Sequence, residues 1–154
     1  MDKKALQYSL QGIKKLTSYV NSLDSLPIKS LAEEVIAIKK GFHFAFDKTT
    51  GVFTIRVTIE FLCRADTQNP INLFGATVQY DFIFKDFDEI IKETSEHMID
   101  IPDDLLITLI SIGYSTTRGI MAMLSSGTDY QQVFLPIVDI QEFRKMLQKT
   151  TSPT

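Results

Sequence analysis

The chain has 154 residues, of which 16 are Lys or Arg and 19 are Asp or Glu, so its formal net charge is −3. Hydrophobic residues make up 44% and charged residues 23% of the chain, a composition that excludes disordered, collagen-like and disulfide-scaffold proteins. A mildly acidic chain lacks the basic face that binds phosphate, so we expect no nucleic-acid partner.

The length predicts a single domain over residues 1–154, with a short flexible N-terminus and a C-terminal tail at about residues 149–154. The one cysteine, Cys63, cannot form an internal disulfide, which is typical of a reducing compartment. No apolar stretch follows residues 1–4, so we expect no signal peptide. The longest strongly apolar stretch, residues 105–112, is interrupted by Thr108 and Ser111 and is shorter than the roughly 20 residues that cross a bilayer. We therefore expect a soluble, cytoplasmic protein without membrane insertion.

The N-terminal region, residues 6–23, allows two interpretations. Gly12 and the run at residues 17–20 favour an extended strand. Apolar residues that recur every three or four positions favour a helix instead; these are Leu6, Leu10, Ile13, Leu16, Val20 and Leu23. Periodicity alone does not decide between the two.

Three alternating runs follow and predict an antiparallel sheet with one apolar face. The clearest is residues 52–64, where apolar and polar residues alternate except at Leu62. A similar run, residues 36–46, is joined to it by a short polar loop that ends in Gly51, which predicts a hairpin. The third run, residues 74–84, follows a turn-rich loop that contains Pro70.

Helical signals begin after these runs. Pro102 opens a predicted helix that reaches Leu124 and is followed by Gly127, since proline suits a first turn and glycine follows a last turn. A polar stripe follows one narrow face, and the rest of the surface is apolar or small; the stripe residues are Asp104, Thr108, Ser111, Ser115 and Arg118. A helix that is apolar on most sides is buried on most sides. We therefore expect a second subunit to cover part of it.

A second helix is predicted from about Ile140 to Gln148, after an apolar link at residues 133–138. Asp139 and Glu142 stand at the N-cap and N3 positions of an approximate capping box. Strands followed by helices predict an α+β fold.

No catalytic or cofactor-binding motif is present in the sequence. It contains no glycine-rich phosphate loop, GxSxG elbow, HExxH or CxxC pattern. Cys63 lies on the apolar side of its predicted strand, where an inert buried thiol is expected. His97 lies near Glu93 and Glu96, but a metal site needs more convergent ligands. We therefore expect neither an enzyme nor a bound metal or cofactor.

Charge is distributed unevenly along the chain. Residues 81–104 contain nine acids and two bases, a net charge of −7, which leaves a net charge of +4 on the rest of the chain. Two interpretations stay open. The segment is either a solvated connection with acids at the start of a helix or a docking patch for a basic partner.

Phenylalanine is concentrated in the strands, because eight of the eleven lie between Phe42 and Phe84. Most of them must form a core under the helices. Some would line an apolar groove open to other polypeptides, since phenylalanine offers a large apolar face with no hydrogen bond to satisfy. The candidate groove residues are Phe42, Phe44, Phe46, Phe74, Phe84, Phe87, Phe134 and Phe143.

This order of sheet, acidic connection, long helix, proline-containing link and final helix resembles the SecB family of export chaperones. Residues 101–147 carry most of the resemblance, because the family's closing region has the same landmarks in the same order. In this chain they are Pro102, Arg118 and Gly119, Gly127 and Thr128, Leu135 and Pro136, and Asp139. The resemblance implies a four-stranded antiparallel sheet packed by two C-terminal helices, with residues 10–20 as the first strand.

The resemblance also implies an assembly and an activity. SecB-like proteins form a dimer of dimers in which the long helices meet; the interface residues implied here are Ser111, Gly113, Ser115, Arg118 and Gly119. The family binds unfolded polypeptides in apolar surface grooves without ATP, and its members serve the export motor SecA or guard antitoxins. The family's acidic SecA-docking residues have no individual match on the strand at residues 52–64, whose polar side carries Arg56, Arg64 and only Glu60.

Three functions stay open. The first is an ATP-independent holdase that keeps nonnative chains from aggregating. The second is a dedicated chaperone for one partner, such as an antitoxin. The third and least favoured is a small enzyme on a hotdog-like scaffold, in which the long helix usually precedes most strands, whereas here it follows them.

Overall fold

The computed structural model describes residues 7–95 and 98–150, which form an α+β structure. The main strands are β1 (Tyr8–Val20), β2 (Ile36–Asp47), β3 (Val52–Cys63) and β4 (Ile71–Phe84). They form one antiparallel sheet in the order β1-β4-β3-β2. The later elements are α1 (Phe87–Ile90), β5 (Lys92–Ser95), β6 (Met98–Asp100), α2 (Asp103–Ser125) and α3 (Ile140–Thr150). The predicted four-stranded sheet with C-terminal helices is confirmed.

The predicted hairpin joins β2 to β3. Its register pairs Asp47 with Val52, and the backbone N–H of Thr49 donates to Asp47 Oδ1 at 2.9 Å. Gly51 has a φ of 69°, a left-handed conformation that glycine adopts without steric cost. Because the turn sets the register, it also sets which side chains of β2 face the helices.

The N-terminal region is a strand, as the resemblance implied. β1 pairs antiparallel with β4, with register shifts between Leu10 and Gly12 and between Lys15 and Thr17. A β-bulge adds one residue to one strand of a pair, so side chains on one face recur after three residues as well as after two. Leu10 and Ile13 therefore lie on the same face, and this spacing imitates a helical period in the sequence.

The core lies between the sheet and α2. Inward-facing side chains of the central strands are fully buried, among them Ile55, Val57 and Tyr80. Phe61 and Phe74 stack across β3 and β4 with ring centroids 4.5 Å apart. We call the side of the sheet that packs against α2 the inner face and the opposite side the outer face.

α2 approaches the sheet closely at a glycine. A Cβ built at Gly113 would lie 3.2 Å from Val57 Cγ2 and 3.3 Å from Tyr80 Cδ2. One turn later the Thr117 hydroxyl donates to the Gly113 carbonyl at 2.8 Å and lies 2.7 Å from the Tyr80 hydroxyl. The absence of a side chain at Gly113 thus serves the contact of α2 with its own sheet. The predicted place of Gly113 at a subunit interface stays a prediction.

The structure corrects the expectation that the apolar stretch of this helix is too short to cross a bilayer. α2 has 23 residues and contains an 18-residue window with a mean hydropathy of 1.3, so by length and composition alone it could cross a bilayer. Thr108 and Ser111 do not interrupt it, because each hydroxyl donates at 2.8 Å to a carbonyl four residues earlier. Nine residues along α2, mainly on its sheet-facing side, are buried within the chain, so the helix is part of the core.

α3 begins after Asp139, as the capping pattern predicts. The backbone N–H of Gln141 donates to Asp139 Oδ1 at 3.2 Å. Phe143 packs into the core, and Arg144 Nη2 lies 2.7 Å from Asp104 Oδ1 in the first turn of α2. These contacts fix the position of α3 relative to α2.

The acidic connection contains α1 and a two-stranded sheet of β5 and β6, which the sequence pattern did not predict. Two of its acids lie on opposite sides of the sheet. Asp81 accepts a hydrogen bond from the Thr54 hydroxyl at 2.7 Å on the outer face, whereas Asp104 pairs with Arg144 on the helical side. These two acids therefore do not belong to one continuous patch.

Candidate apolar binding surfaces

An apolar groove lies between β2 and α3 on the inner face of the sheet. Its volume is about 380 Å³, and we call it the β2–α3 groove. It is lined by Lys40, Phe42 and Phe44 from β2, Ile110 from α2, and Phe143, Met146 and Leu147 from α3. Three of the predicted groove residues, Phe42, Phe44 and Phe143, therefore come together here.

Ring contacts hold the walls of this groove in place. Phe42 meets Phe143 edge to face at 6.1 Å between centroids, and Tyr114 meets Phe143 at 5.6 Å. Phe42 and Phe44 are half-buried, whereas Phe143 is only 2% exposed. β2 therefore supplies the accessible wall of the groove, and Phe143 anchors α3 behind it.

A second group of predicted residues clusters at the end of β2. Phe46 stacks on Phe87 with centroids 4.1 Å apart, and Phe87 lies 6.2 Å from Phe84. Phe46 and Phe87 are half-buried, but Phe84 is buried in the core. Phe46 and Phe87 are thus the members of this cluster that another polypeptide can reach.

Phe74 was predicted to line the groove, and the structure corrects this prediction. Its side chain is fully buried, and its ring stacks on Phe61 and, with centroids 5.0 Å apart, on Tyr130. β4 is an interior strand, so its inward-facing side chains lie under α2 and the loop after it. Phe74 is therefore a core residue and not the wall of a groove.

A second groove lies between α2 and the link that precedes α3, and we call it the α2–link groove. Its volume is about 460 Å³. It is lined by Ser115, Arg118, Gly119, Ala122, Phe134, Leu135, Pro136 and Ile137. Three predicted interface residues, Ser115, Arg118 and Gly119, thus share a groove with Phe134, which is 63% exposed. Ser111 lies outside this lining and is half-buried.

Tyr114 connects the two grooves. Its hydroxyl donates to the Pro136 carbonyl at 2.9 Å and holds the link against α2. Burial raises the pKa of Tyr114 to about 12, Glu142 adds to the rise, and Arg118 opposes it. The hydroxyl therefore remains a neutral donor at physiological pH.

β1 carries an exposed apolar stripe that was not among the predicted site residues. Its exposed apolar residues are Tyr8, Leu10, Ile13, Leu16 and Val20, and we call them the β1 stripe. Leu10 and Ile13 stand opposite the inward-facing Phe82 and Tyr80 of β4, so this part of the stripe continues the inner face to the edge of the sheet. Its signal in the sequence was the apolar recurrence in residues 6–23, but the bulges gave that recurrence a helical spacing.

The outer face of the sheet is polar and mixed in charge. Hydrogen bonds cross it from Thr54 to Asp81, from Arg56 to Gln79 at 3.0 Å, and between Thr58 and Thr77 at 3.0 Å. Lys39 Nζ lies 3.8 Å from Glu60 Oε2 on the same face. The acids named in this paragraph have polar or basic partners. The outer face therefore differs from the acidic SecA-docking face that the resemblance to the SecB family implies.

The titratable residues form no cluster for metal chemistry in the part of the chain that the structure describes. Among residues 7–95 and 98–150, no group of three or more His, Cys, Asp or Glu could hold a metal ion. His97 lies outside the described residues, and Glu93 lies on β5. Cys63 is buried, as predicted, and burial raises the pKa of its thiol.

Similarity to known proteins is found at the level of structure. No protein-family model matches the chain, and no curated protein matches its sequence. Among solved structures, it is similar to the Mycobacterium tuberculosis Rv1957 SecB-like chaperone in complex with a ChAD peptide from the Rv1956 HigA1 antitoxin. The match has a TM-score of 0.55 at 12% sequence identity and covers 85% of this chain and 90% of that chain. The chain has a SecB-like fold. The strand pattern and the landmarks in residues 101–147 had implied this architecture.

Proposed function

We propose that this protein is an ATP-independent chaperone that holds unfolded or nonnative polypeptides, with the β2–α3 groove as its main client site. The observation that carries the proposal is the lining of the groove, in which six of seven residues are apolar. The SecB-like fold supports the same function. Half-buried phenylalanines on the accessible wall can exchange contact with water for contact with a client.

The groove is suited to an extended chain. β2 is the last strand in the sheet order, so one edge of its backbone has no strand partner among the described residues. A client segment that pairs with this edge would place alternate side chains over the inner face, beside Phe42, Phe44 and Phe46. Backbone hydrogen bonds give affinity without regard to sequence, and the apolar lining selects segments that folded proteins bury.

Holding a client in this way needs no nucleotide. Binding the unfolded state lowers the free concentration of chains that can aggregate. Each large apolar side chain that the groove buries contributes roughly 1.5–3 kcal/mol. After the entropic cost of association, a few such side chains give a dissociation constant of about micromolar, which permits release.

We also propose that the protein is a homo-oligomer, as a dimer of dimers. Two described surfaces support association: the β1 stripe and the exposed side of α2 along the α2–link groove. Ser115 and Gly119 are exposed on α2, and small residues allow the backbone of another helix to approach closely. Arg118 lines the same groove and would lie at this contact.

A second candidate is a chaperone dedicated to one partner, such as the antitoxin of a toxin–antitoxin pair. It is favoured by the similarity to a SecB-like chaperone whose bound peptide comes from an antitoxin. Affinity capture from the native host separates the two candidates, since a dedicated chaperone yields one stoichiometric partner and a general holdase yields many. Delivery of clients to SecA has less support, because the outer face is mixed in charge.

The decisive test is suppression of aggregation. A chemically denatured client is diluted, without nucleotide, into a several-fold excess of this protein, and light scattering is recorded. We expect the wild type to suppress scattering and Phe42→Ser to bind the client about tenfold more weakly.

Val35→Ser is the matched control, because Val35 is 85% exposed and lies outside the groove lining. Failure of the wild type at this excess would contradict the holdase. Equal loss in both variants would argue against the groove as the client site. Turnover of a small substrate by the pure protein would instead favour the hotdog-like enzyme.

A further inference from the structure

One cation interrupts the apolar lining of the β2–α3 groove. Lys40 faces inward on β2, where it stands opposite Ile59 of β3. Its side chain lines the groove beside Phe42 and Phe44, and its Nζ lies 5.5 Å from the centroid of the Tyr114 ring. An ammonium group beside apolar walls loses part of its hydration, so it gains from a charged partner that enters the groove.

No described ion pair supplies that partner. The preceding residue, Lys39, is directed to the outer face and pairs there with Glu60. Two other ion pairs join Arg64 to Glu34 and Arg144 to Asp104, and neither involves Lys40. The contact of Lys40 with the Tyr114 ring is a weak attraction that leaves N–H donors of the ammonium for an acceptor.

We propose that the β2–α3 groove prefers nonnative segments in which an Asp or Glu side chain stands two residues from an aromatic or aliphatic side chain, and that Lys40 pairs with this carboxylate. The proposal rests on the holding function proposed above and specifies its clients. The formal net charge of the chain is −3, so overall charge would repel acidic segments. A preference for them would therefore be a local property of the groove.

The spacing in the client follows from strand geometry. Side chains on one face of a strand recur every second residue, about 6.8 Å apart. In a segment paired with the edge of β2, the side chain beside Lys40 therefore stands two residues from the side chain beside Phe42. β2 continues on both sides of Lys40, so a bound chain can pass this point in both directions. The structure thus favours an internal acidic side chain over a C-terminal carboxylate.

An inward-facing lysine on an edge strand has a second explanation. Such residues protect sheets from pairing edge to edge with other copies. On that explanation Lys40→Met would increase self-association and would not change which peptides the protein prefers. Peptide selectivity therefore separates the two explanations.

The experiment measures peptide affinity by fluorescence anisotropy. Two labelled peptides with blocked termini contain the core DxFxFxD or NxFxFxN, where x is a small polar residue. The symmetric cores make the result independent of whether the client pairs parallel or antiparallel to β2. We expect the wild type to bind the Asp peptide about tenfold more tightly than the Asn peptide at low salt, with a smaller difference at high salt.

Two variants test whether Lys40 causes the preference for the Asp peptide. Lys40→Met should bind both peptides with equal affinity. Lys39→Met is the matched control, since it removes the neighbouring charge from the outer face of the same strand and should retain the tenfold preference within about twofold.

Each of the other possible outcomes contradicts one part of the proposal. Equal affinity of the wild type for both peptides overturns the acidic preference and leaves the holding function intact, because both peptides still bind. Binding of neither peptide by folded wild-type protein, as judged by circular dichroism, contradicts the groove as a client site and with it this inference. A preference that persists in Lys40→Met overturns the role of Lys40.

Discussion

The two edges of the sheet have similar side chains and different surroundings. β1 and β2 both present apolar residues to the inner face. On β2, Phe42 and Phe44 are half-buried beside α3, whereas Ile13 on β1 is 50% exposed. The difference arises because α2 packs on the central strands β3 and β4, and α3 then contacts the β2 side.

Coverage by a helix determines what each apolar edge is suited to bind. A partly covered edge has walls on two sides, so it forms a groove that surrounds side chains and excludes water. An uncovered stripe is better suited to a second folded subunit, which brings its own apolar surface. The proposed client site and the proposed association surface therefore lie at opposite edges of one sheet and share no residues.

The largest expected effect comes from removing the residue that anchors α3 over β2. Phe143 is buried and contacts Phe42 and Tyr114. Phe143→Ala should therefore lower the free energy of unfolding, measured by urea denaturation, by ~3–5 kcal/mol. The exposed Phe134 provides the control, and Phe134→Ala should cost less than about 0.5 kcal/mol. Similar losses in the two variants would show that α3 is not packed as described.

An intermediate effect is expected from placing a charge in the β1 stripe. Ile13→Asp should weaken self-association by at least about tenfold, because a buried interface leaves an unpaired carboxylate poorly hydrated. Light scattering as a function of concentration measures the change. Thr17→Asp places the same charge on an exposed residue of the same strand and serves as the control. A wild-type protein that is monomeric at all concentrations would remove β1 as an association surface.

The smallest expected effect is a change in stability at alkaline pH. The pKa of Tyr114 is raised to about 12 by burial, whereas an unfolded tyrosine titrates near ~10. Between these values the unfolded state has lost a proton that the folded state keeps. The contribution of Tyr114 to the free energy of unfolding is therefore fully present below pH ~10 and is lost as pH rises through ~12.

Tyr114→Phe should reduce the fall of the urea midpoint over this pH range. Burial also raises the pKa of Tyr19, Tyr80 and Tyr130, so part of the fall should remain. An unchanged slope in Tyr114→Phe would show that this hydroxyl does not contribute.

Local signals were sufficient to predict most elements. The alternation in residues 52–64 predicts β3, and Pro102 and Asp139 mark the starts of α2 and α3, because alternation and capping depend only on residues close in sequence. The same kind of signal left a helix open at β1, because bulges give the apolar residues of this strand a helical spacing. A bulge depends on pairing with β4, which is distant in sequence.

The error in the prediction for Phe74 has a similar origin. Phe74 lies on its predicted strand, but its ring is fully buried and stacks on Tyr130 in the loop after α2. Phe42 and Phe44 have the same alternating pattern as Phe74 and remain partly accessible, because β2 is an edge strand. Strand order therefore separates a core phenylalanine from a groove phenylalanine.

The amino-acid sequence by itself determined the order of β2, β3, β4, α2 and α3 and the apolar faces of these strands, since these follow from local periodicity and capping. Its resemblance to the SecB family implied the four-stranded architecture. Only the tertiary structure decided which apolar side chains stay accessible, that Lys40 stands among them, and that β1 carries a second exposed surface. The physical reason is that burial depends on what packs across from a side chain. That partner is usually supplied by a segment far away in the chain.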